Sequence, residues 1–356
     1  MEIFALDLGN KQTKLKSRKA EYVLPSQILN KSDMPQQLGS FGTRKISSYK
    51  VPFDENEWAW ESDLAALKLD EYLQDTLMHQ NRYQNDVFRL LANFALGKLA
   101  TDFKEANKGI MKVIVVTGLP TDDYNSSKQL ADLTEVLKGQ HQVEVNGKTY
   151  TVRVEKVLIV PQPVGTFYDV LLDKQGYLKN EDLLEEKVGI IDVGGGTVLI
   201  DTLINFGLDK HNRKQYATGA NDLYESIAAG IDGNASIYQI EKIVREGIKT
   251  REFAYRFSKN NVIDISDLVE LEINSFTKRL VSNLKSTFKD IQTMDSLIIT
   301  GGAANLINQR LIADTFETVT FIKDSEFANV RGFYKYALTK EGAEDSEEET
   351  GTTETD

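Results

Sequence analysis

Two stretches of the sequence, IFALDLGNKQTKLK at residues 3–16 and VGIIDVGGGTVLID at residues 188–201, follow one pattern. Each reads as an apolar strand that reaches an aspartate, one further apolar residue, a glycine, a tight turn and a returning strand, which predicts a β-hairpin. The two aspartates, Asp7 and Asp192, stand about half the chain apart. A repeat of this length indicates two homologous domains and not a solenoid of short units.

The remaining sequence supports two domains that each contain strands and helices. The 356 residues exceed the usual size of one domain. Further patterns predict a strand at 112–120, a hairpin turning at Asn146-Gly147, and helices at 86–103, 221–231, 237–253 and 267–288. The stretch LAALKLDEYLQ at 64–74 could also be helical. This mixture predicts the α/β class. We expect a first domain at 1–164, a second at 165–324, and residues 325–340 packing back on the first.

The C-terminal tail carries much of the acidity of the chain. Residues 341–356 hold eight acids and no base, so −8 of the net charge of −12 belongs to the tail. The tail has no apolar residue larger than alanine, and we expect it to be disordered. The body is mildly acidic without a long basic run, so direct, strong nucleic-acid binding is not expected.

Composition excludes several other classes of protein. There are no cysteines, which rules out disulfides, thiolate zinc sites and a cysteine nucleophile. No apolar run approaches the roughly 20 residues that span a bilayer, and the N-terminus MEIFALDLGN does not read as a signal peptide. We expect a cytoplasmic protein that does not bind membranes.

The two glycine turns suggest how the repeat could bind an anion. A turn without Cβ atoms lets backbone N–H groups approach phosphate, and two facing turns could hold a polyphosphate from both sides. Carboxylates beside phosphate need a hard cation between them, and Mg²⁺ held by one or two carboxylates and water fits this requirement. Lys14, on the returning strand, would neutralise phosphate charge. Each turn taken singly is also compatible with an ordinary packing turn.

A third turn lies in IITGGAANLI at residues 298–307. Its small residues would let a flat base lie against the backbone, although strand–Gly-Gly–helix turns also occur for packing reasons alone. The helix that contains Lys242, Arg245 and Glu246 is a candidate for ribose contacts, with solvated helix surface as its alternative.

These turns, in this order, resemble the nucleotide signature of the actin superfamily of ATPases. The resemblance implies a duplicated, actin-like (ribonuclease H-like) two-domain α/β fold with ATP, or GTP, and Mg²⁺ in the interdomain cleft. The matching positions are Asp7, Gly9, Asn10 and Lys14 in the first phosphate loop, Gln162 in the first connecting segment PQPVGTFYD, Asp192, Gly194, Gly195, Gly196 and Thr197 in the second phosphate loop, and Gly301, Gly302 and Ala303 in the adenosine motif.

The resemblance also implies roles for the polar residues. Asp192 would orient the attacking water or accept its proton, Gln162 would help to position that water, and Asp7 would bind Mg²⁺ through water. Asp192 would also contact Mg²⁺ through water. One departure is Gly195, which stands where actins carry a second aspartate.

Within the superfamily the chain is most similar to ParM-type plasmid-segregating proteins, particularly those of Gram-positive plasmids. The stretches that carry this similarity are VTGLP at 116–120, PQPVGT at 161–166 and DSEFANVRGFYKY at 324–336. The second connecting segment of the nucleotide signature is its faintest motif and lies within residues 329–337. The similarity implies a filament of the protein itself and a DNA-binding adaptor of the ParR type on the plasmid centromere.

Two other functions fit the same fold. A sugar-type kinase would need a base beside an acceptor hydroxyl, and the three histidines, His79, His141 and His211, stand isolated in polar stretches that suggest surface or loop positions. A chaperone-like ATPase would need a substrate-binding domain after the nucleotide domain, where this chain has an acidic tail.

Overall fold

The structure is a computed structural model that describes residues 1–35, 46–62, 64–67, 69–76, 81–231, 235–288 and 290–350. His79 and residues 351–356 of the tail lie outside the described residues. No helix in the described ranges combines the length and apolar content that crossing a bilayer requires.

The N-terminal half forms a ten-stranded sheet with the order β3-β2-β1-β8-β10-β9-β5-β6-β4-β7. Its strands are β1 (Glu2–Leu8), β2 (Gln12–Lys16), β3 (Glu21–Pro25), β4 (Gln27–Asn30), β5 (Ser48–Val51), β6 (Asp54–Ala59), β7 (Leu73–Asp75), β8 (Ile110–Leu119), β9 (Gly139–Val145) and β10 (Lys148–Pro161). Its helices are α1 (Asp86–Ala100), α2 (Thr121–Tyr124) and α3 (Ser127–Leu137). The central strands β1 and β8 are parallel and almost wholly apolar, as expected for strands that are covered on both faces.

The second half repeats this topology around a six-stranded sheet with the path β13-β12-β11-β17-β18, and β14 pairs with β12. Its strands are β11 (Lys187–Val193), β12 (Val198–Ile204), β13 (Gly207–Leu208), β14 (Lys214–Tyr216), β17 (Ser296–Thr300) and β18 (Val319–Phe321), and β15 (Ala254–Ser258) and β16 (Asn261–Asp264) form a separate pair. Helices α5 (Ala220–Ala229), α6 (Ile237–Gly247), α7 (Ser266–Thr287) and α8 (Gln309–Ala313) complete this half. β1 is antiparallel to β2 and parallel to β8, and β11 relates to β12 and β17 in the same way, so the predicted duplication is confirmed.

Two further helices connect the halves. Helix α4 (Gln162–Leu171) packs on the second sheet, where Phe167 and Leu171 join a buried cluster with Val188. Helix α9 (Ala328–Thr350) returns to the first sheet, where Phe333 packs with Ile3 and other apolar residues. The boundaries 1–164 and 165–324 remain predictions.

The helices α4 and α9 cross at two glycines. A Cβ atom on Gly332 would overlap the carbonyl oxygen of Gly165, so the two backbones are in direct contact. Lys335 of α9 donates from Nζ to the carbonyl oxygens of Asp169 and Leu172, at 2.7 and 2.8 Å, beyond the crossing.

Several local expectations can be compared with the structure. The hairpin at Asn146-Gly147 forms as predicted, with positive φ angles of 52° and 78°. In the segment 64–74 the described residues, 64–67 and 69–74, form 3₁₀ turns and then enter β7, which pairs with β4, and do not form the α-helix considered above. Here strand pairing outweighs the helical propensity of the leucines and alanines.

One histidine also differs from expectation, whereas the disorder of the tail stays a prediction. The backbone of residues 341–350 continues α9, because the glutamates there favour helix. His141 is buried, with Nδ1 2.8 Å from Asn93 Oδ1 and Nε2 2.8 Å from the Leu137 carbonyl oxygen, so its predicted surface position is wrong. His211 is exposed, as expected.

Candidate functional site

The glycine turns of both halves meet at one cavity of about 230 Å³. They do so because the strands that precede them end at facing sheet edges. Twelve of the thirteen residues predicted from the sequence line it: Asp7, Gly9, Asn10, Lys14, Gln162, Asp192, Gly194, Gly195, Gly196, Thr197, Gly301 and Gly302. Ala303 does not line it. Ala303 is wholly buried in the second core, and its N–H donates to the Val193 carbonyl oxygen at 2.9 Å.

The first and second turns are in contact. A Cβ atom placed on Gly195 would lie 2.5 Å from both Cβ and Cγ of Lys11. The side chain of Lys11 therefore occupies the space that a residue larger than glycine would need. This contact gives a physical reason for the departure at Gly195, since an aspartate there would collide with the opposite turn.

The second turn is held by the helix that follows it. The Gly194 N–H donates to the Thr197 carbonyl oxygen at 2.9 Å. The carbonyl oxygens of Gly194 and Gly195 accept from the first amides of α5, Ala220 at 3.0 Å and Asn221 at 2.8 Å. These oxygens are engaged by the helix and so do not need to face an anion in the cavity.

The two repeat aspartates lie inside the cavity wall, each with 3% of its surface exposed. Asp7 is opposite Lys14 in the β1–β2 register, and the Lys14 Nζ lies 3.4 Å from Asp7 Oδ2. Asp192 Oδ2 accepts from Asn329 Nδ2 at 2.7 Å and from Gln162 Nε2 at 3.3 Å. Burial, together with the negative charge of Asp7, raises the pKa of Asp192 to about 6.

Gly301 is required where the third turn passes this carboxylate. Its φ is +97°, and a Cβ atom there would overlap Asp192 Oδ1. A left-handed backbone at this point favours glycine. The third turn is therefore shaped around the carboxylate of the second hairpin.

The predicted ribose residues are divided between cavities. Arg245 lines the main cavity and donates from Nη1 to the Gly302 carbonyl oxygen at 3.2 Å, while its Nε bonds Glu241 at 3.0 Å. Lys242 and Glu246 do not line the main cavity but a neighbouring one of about 330 Å³. Arg245 also borders a third cavity, of about 870 Å³, beside the Gly302 turn.

Sequence reasoning missed several residues of the main cavity. Asn329 lies at the start of the second connecting segment, so that motif could have identified it. Thr76 and Arg82 also line the cavity, but they flank a stretch without regular periodicity, and no pattern in the sequence marks them.

Comparison with known proteins identifies the family. The family model "Actin like proteins N terminal domain" matches residues 5–165, and the model "Alp7A C-terminal domain" matches residues 187–327. The chain belongs to the actin-like proteins. No curated protein matches this actin-like chain by sequence.

Solved structures share the actin-like fold over nearly the whole length. Apo pSK41 ParM is 26% identical, with a TM-score of 0.73 over 96% of this chain and 99% of that one. The ADP complex of Ta0583, an archaeal actin homologue, is 16% identical, with a TM-score of 0.71 over 96% and 100%. A 15-stranded ParM filament from Clostridium botulinum is 18% identical, with a TM-score of 0.72 over 95% and 99%.

Proposed function

We propose that this actin-like protein binds and hydrolyses ATP, or GTP, and polymerises in response, and that its filaments segregate plasmid DNA through a DNA-bound adaptor of the ParR type. One observation carries the proposal: the two repeated turns and their aspartates enclose a single cavity. An archaeal actin homologue of similar fold has been solved with ADP, and ParM relatives of similar fold form filaments.

The nucleotide would lie across the three turns. Its phosphates would lie between the turns that begin at Gly9 and Gly194, close to Lys14. The base would lie beside Gly302, where the cavity of about 870 Å³ borders Arg245. Glycines at these points let the ligand approach the backbone closely.

The donor set fits Mg²⁺. Among the described residues no group of three or more histidines, aspartates or glutamates could hold a metal by itself, so the protein offers two carboxylates, Asp7 and Asp192. The raised pKa of Asp192 shows that its negative charge is poorly compensated. A divalent ion held partly by water and phosphate oxygens suits such a site, and it would neutralise charge on the phosphates.

Hydrolysis would need positioning and charge compensation but no covalent intermediate. The Asp192 carboxylate, with a pKa of about 6, is ionised at neutral pH and able to accept a proton from water. Gln162 and Asn329 hold this carboxylate by hydrogen bonds. In this arrangement Gln162 would help to position the water, and Asp7 would hold the cation through water.

The coupling to DNA would be indirect. The chain has 42 basic and 54 acidic residues, and a body of this charge is poorly suited to bind the DNA backbone directly. An adaptor on the centromere would therefore hold the DNA and capture filament ends.

Light scattering tests the proposal. Scattering from the purified protein should rise with ATP or a slowly hydrolysed analogue and should fall as hydrolysis proceeds. A flat signal over a wide concentration range, with phosphorylation of a sugar instead, would identify a kinase.

Asp192→Ala tests the catalytic assignment. We expect it to abolish phosphate release and to leave nucleotide binding largely intact, whereas Asp314→Ala, at a side chain that is 69% exposed, should behave as the wild type. Undiminished turnover in Asp192→Ala would mean that another group performs the reaction.

A further inference from the structure

Two buried polar atoms of residues that line the main cavity have no hydrogen-bond partner. They are Thr76 Oγ1 and Arg82 Nε, and both residues line the cavity. Leaving such atoms buried and unsatisfied destabilises the folded protein, and a charged group does so more than a neutral one. Unpaired polar groups of this kind in a native structure call for a ligand or a functional explanation.

The position of Arg82 is fixed by its neighbours. Its Nη2 donates to the carbonyl oxygen of Leu8, the residue after Asp7, and its guanidinium carbon lies 5.3 Å from the centre of the Phe88 ring. The adjacent Tyr83 donates to Asp123 Oδ2 at 2.7 Å. These contacts hold the guanidinium beside the first turn while its Nε stays without a partner.

Arg82 also differs from Lys14 and Arg245, two other cations that line the cavity. Lys14 lies 3.4 Å from the Asp7 carboxylate and Arg245 bonds Glu241, whereas no described carboxylate forms an ion pair with Arg82. Burial lowers the pKa of Arg82, and the nearby Tyr83, Asp7 and Asp123 only oppose this effect. An anion at Nε would compensate the partly buried cation and satisfy the free donor.

We propose that Thr76 and Arg82 form a subsite for a phosphate oxyanion at the end of the cavity next to Asp7. The Thr76 hydroxyl and Arg82 Nε donate to the anion, and the bond from Nη2 to Leu8 keeps the guanidinium in place. The oxyanion is either the terminal phosphate of the bound triphosphate or the free phosphate that remains after cleavage. This inference rests on the proposed function, since it assigns the terminal-phosphate end of the same nucleotide site.

Binding measurements on the full chain test the subsite. The dissociation constants of a non-hydrolysable ATP analogue and of ADP are measured by calorimetry, and inorganic phosphate is titrated onto the ADP complex. The variants are Thr76→Val, Arg82→Gln and Arg82→Lys, with Arg89→Gln, an exposed arginine beside Phe53, as the control.

We expect losses that are confined to ligands carrying the terminal phosphate. Arg82→Gln should weaken analogue binding by about tenfold or more and Thr76→Val by several fold, because hydrogen bonds to charged groups contribute more than neutral ones. Affinity for ADP should not change. Since the Thr76 hydroxyl has no protein partner, Thr76→Val should keep the wild-type melting temperature, which separates a ligand contact from a folding defect. Arg82→Lys, which keeps the charge but loses the planar fork, should give an intermediate loss.

The outcomes distinguish the terminal phosphate from the free phosphate as the occupant, and they distinguish a failure of the subsite from a failure of the proposed function. A loss for the analogue supports the terminal phosphate as the occupant, and a loss for inorganic phosphate on the ADP complex supports the released ion. If Thr76→Val and Arg82→Gln change neither, or weaken ADP as much as the analogue, the subsite is refuted although nucleotide binding stands. If the wild type binds neither nucleotide, the proposed function itself fails.

Discussion

Replacing Asp192 with asparagine should stabilise the nucleotide-free protein at neutral and alkaline pH. The carboxylate is buried and faces Asp7, so the folded state holds it ionised at a cost. Asparagine has the same shape, and its Oδ1 can still accept the hydrogen bond from Asn329. The substitution therefore removes the charge and keeps the main contact.

The size of the effect follows from the pKa. A rise from the ordinary 3.8 to about 6 in the folded state corresponds to about 3 kcal/mol, at about 1.36 kcal/mol per unit. Below the pKa of the unfolded state, the carboxyl is protonated in both states and does not lower the free energy of unfolding. As the pH rises from the unfolded-state pKa to about 6, the free energy of unfolding of the wild type falls, whereas that of Asp192→Asn does not change through this group. The variant should thus exceed the wild type by up to about 3 kcal/mol above pH 7, and by almost nothing near pH 4.

Urea unfolding across this pH range, with a chelator present to remove divalent ions, measures the difference. Asp314→Asn, at an exposed aspartate, serves as the control and should follow the wild type at every pH. A gain in the free energy of unfolding that does not vary with pH would point to packing and not to ionisation. No gain above pH 7 would refute the assigned cost of the buried charge.

Two glycine substitutions test the close contacts around the cavity. Gly301→Ala should lower the free energy of unfolding by about 2 kcal/mol or more, because it combines a positive φ with an overlap on Asp192, and an unchanged urea midpoint would contradict the backbone geometry. Gly332→Ala should destabilise by a similar amount, about 2–4 kcal/mol, because its Cβ overlaps the Gly165 carbonyl oxygen and must separate α4 from α9. Gly109→Ala, where a Cβ would meet nothing within 4 Å, is the matched control, and equal melting temperatures for the last two variants would disprove the helix contact.

Local sequence patterns were sufficient to predict the main features of the fold. The strand–turn–strand repeat, the Asn146-Gly147 hairpin and the alternation of strands and helices depend on residues close in sequence, and the structure confirms them. The glycine turns could be assigned to one cavity because a duplicated hairpin constrains where both copies lie. Ala303 does not line the cavity, because a small residue after Gly-Gly serves the core as readily as a ligand, and its role in nucleotide binding stays a prediction.

The features that the sequence patterns did not predict depend on contacts between residues that are far apart in the chain. Asn329 reaches Asp192 only because α9 returns across the molecule, and Thr76 and Arg82 reach the cavity from a segment without periodicity. Whether the segment 64–74 forms a helix or enters a strand depends on the free edge of β4, which the local sequence does not describe. Long-range pairing of this kind leaves no signal within a short window.

The crossing of α4 and α9 has a mechanical consequence. Each helix is packed on a different sheet, and the two touch through the bare backbones of Gly165 and Gly332. A change in the angle between the domains therefore rotates one helix over the other about this close crossing. Side-chain contacts of Thr166 with Asn329 and of Tyr168 with Tyr336 join the two helices beside it. The displacement grows with distance from that crossing, so a small rearrangement around a ligand becomes a larger shift at the outer surfaces, where a neighbouring subunit of the proposed filament would detect it.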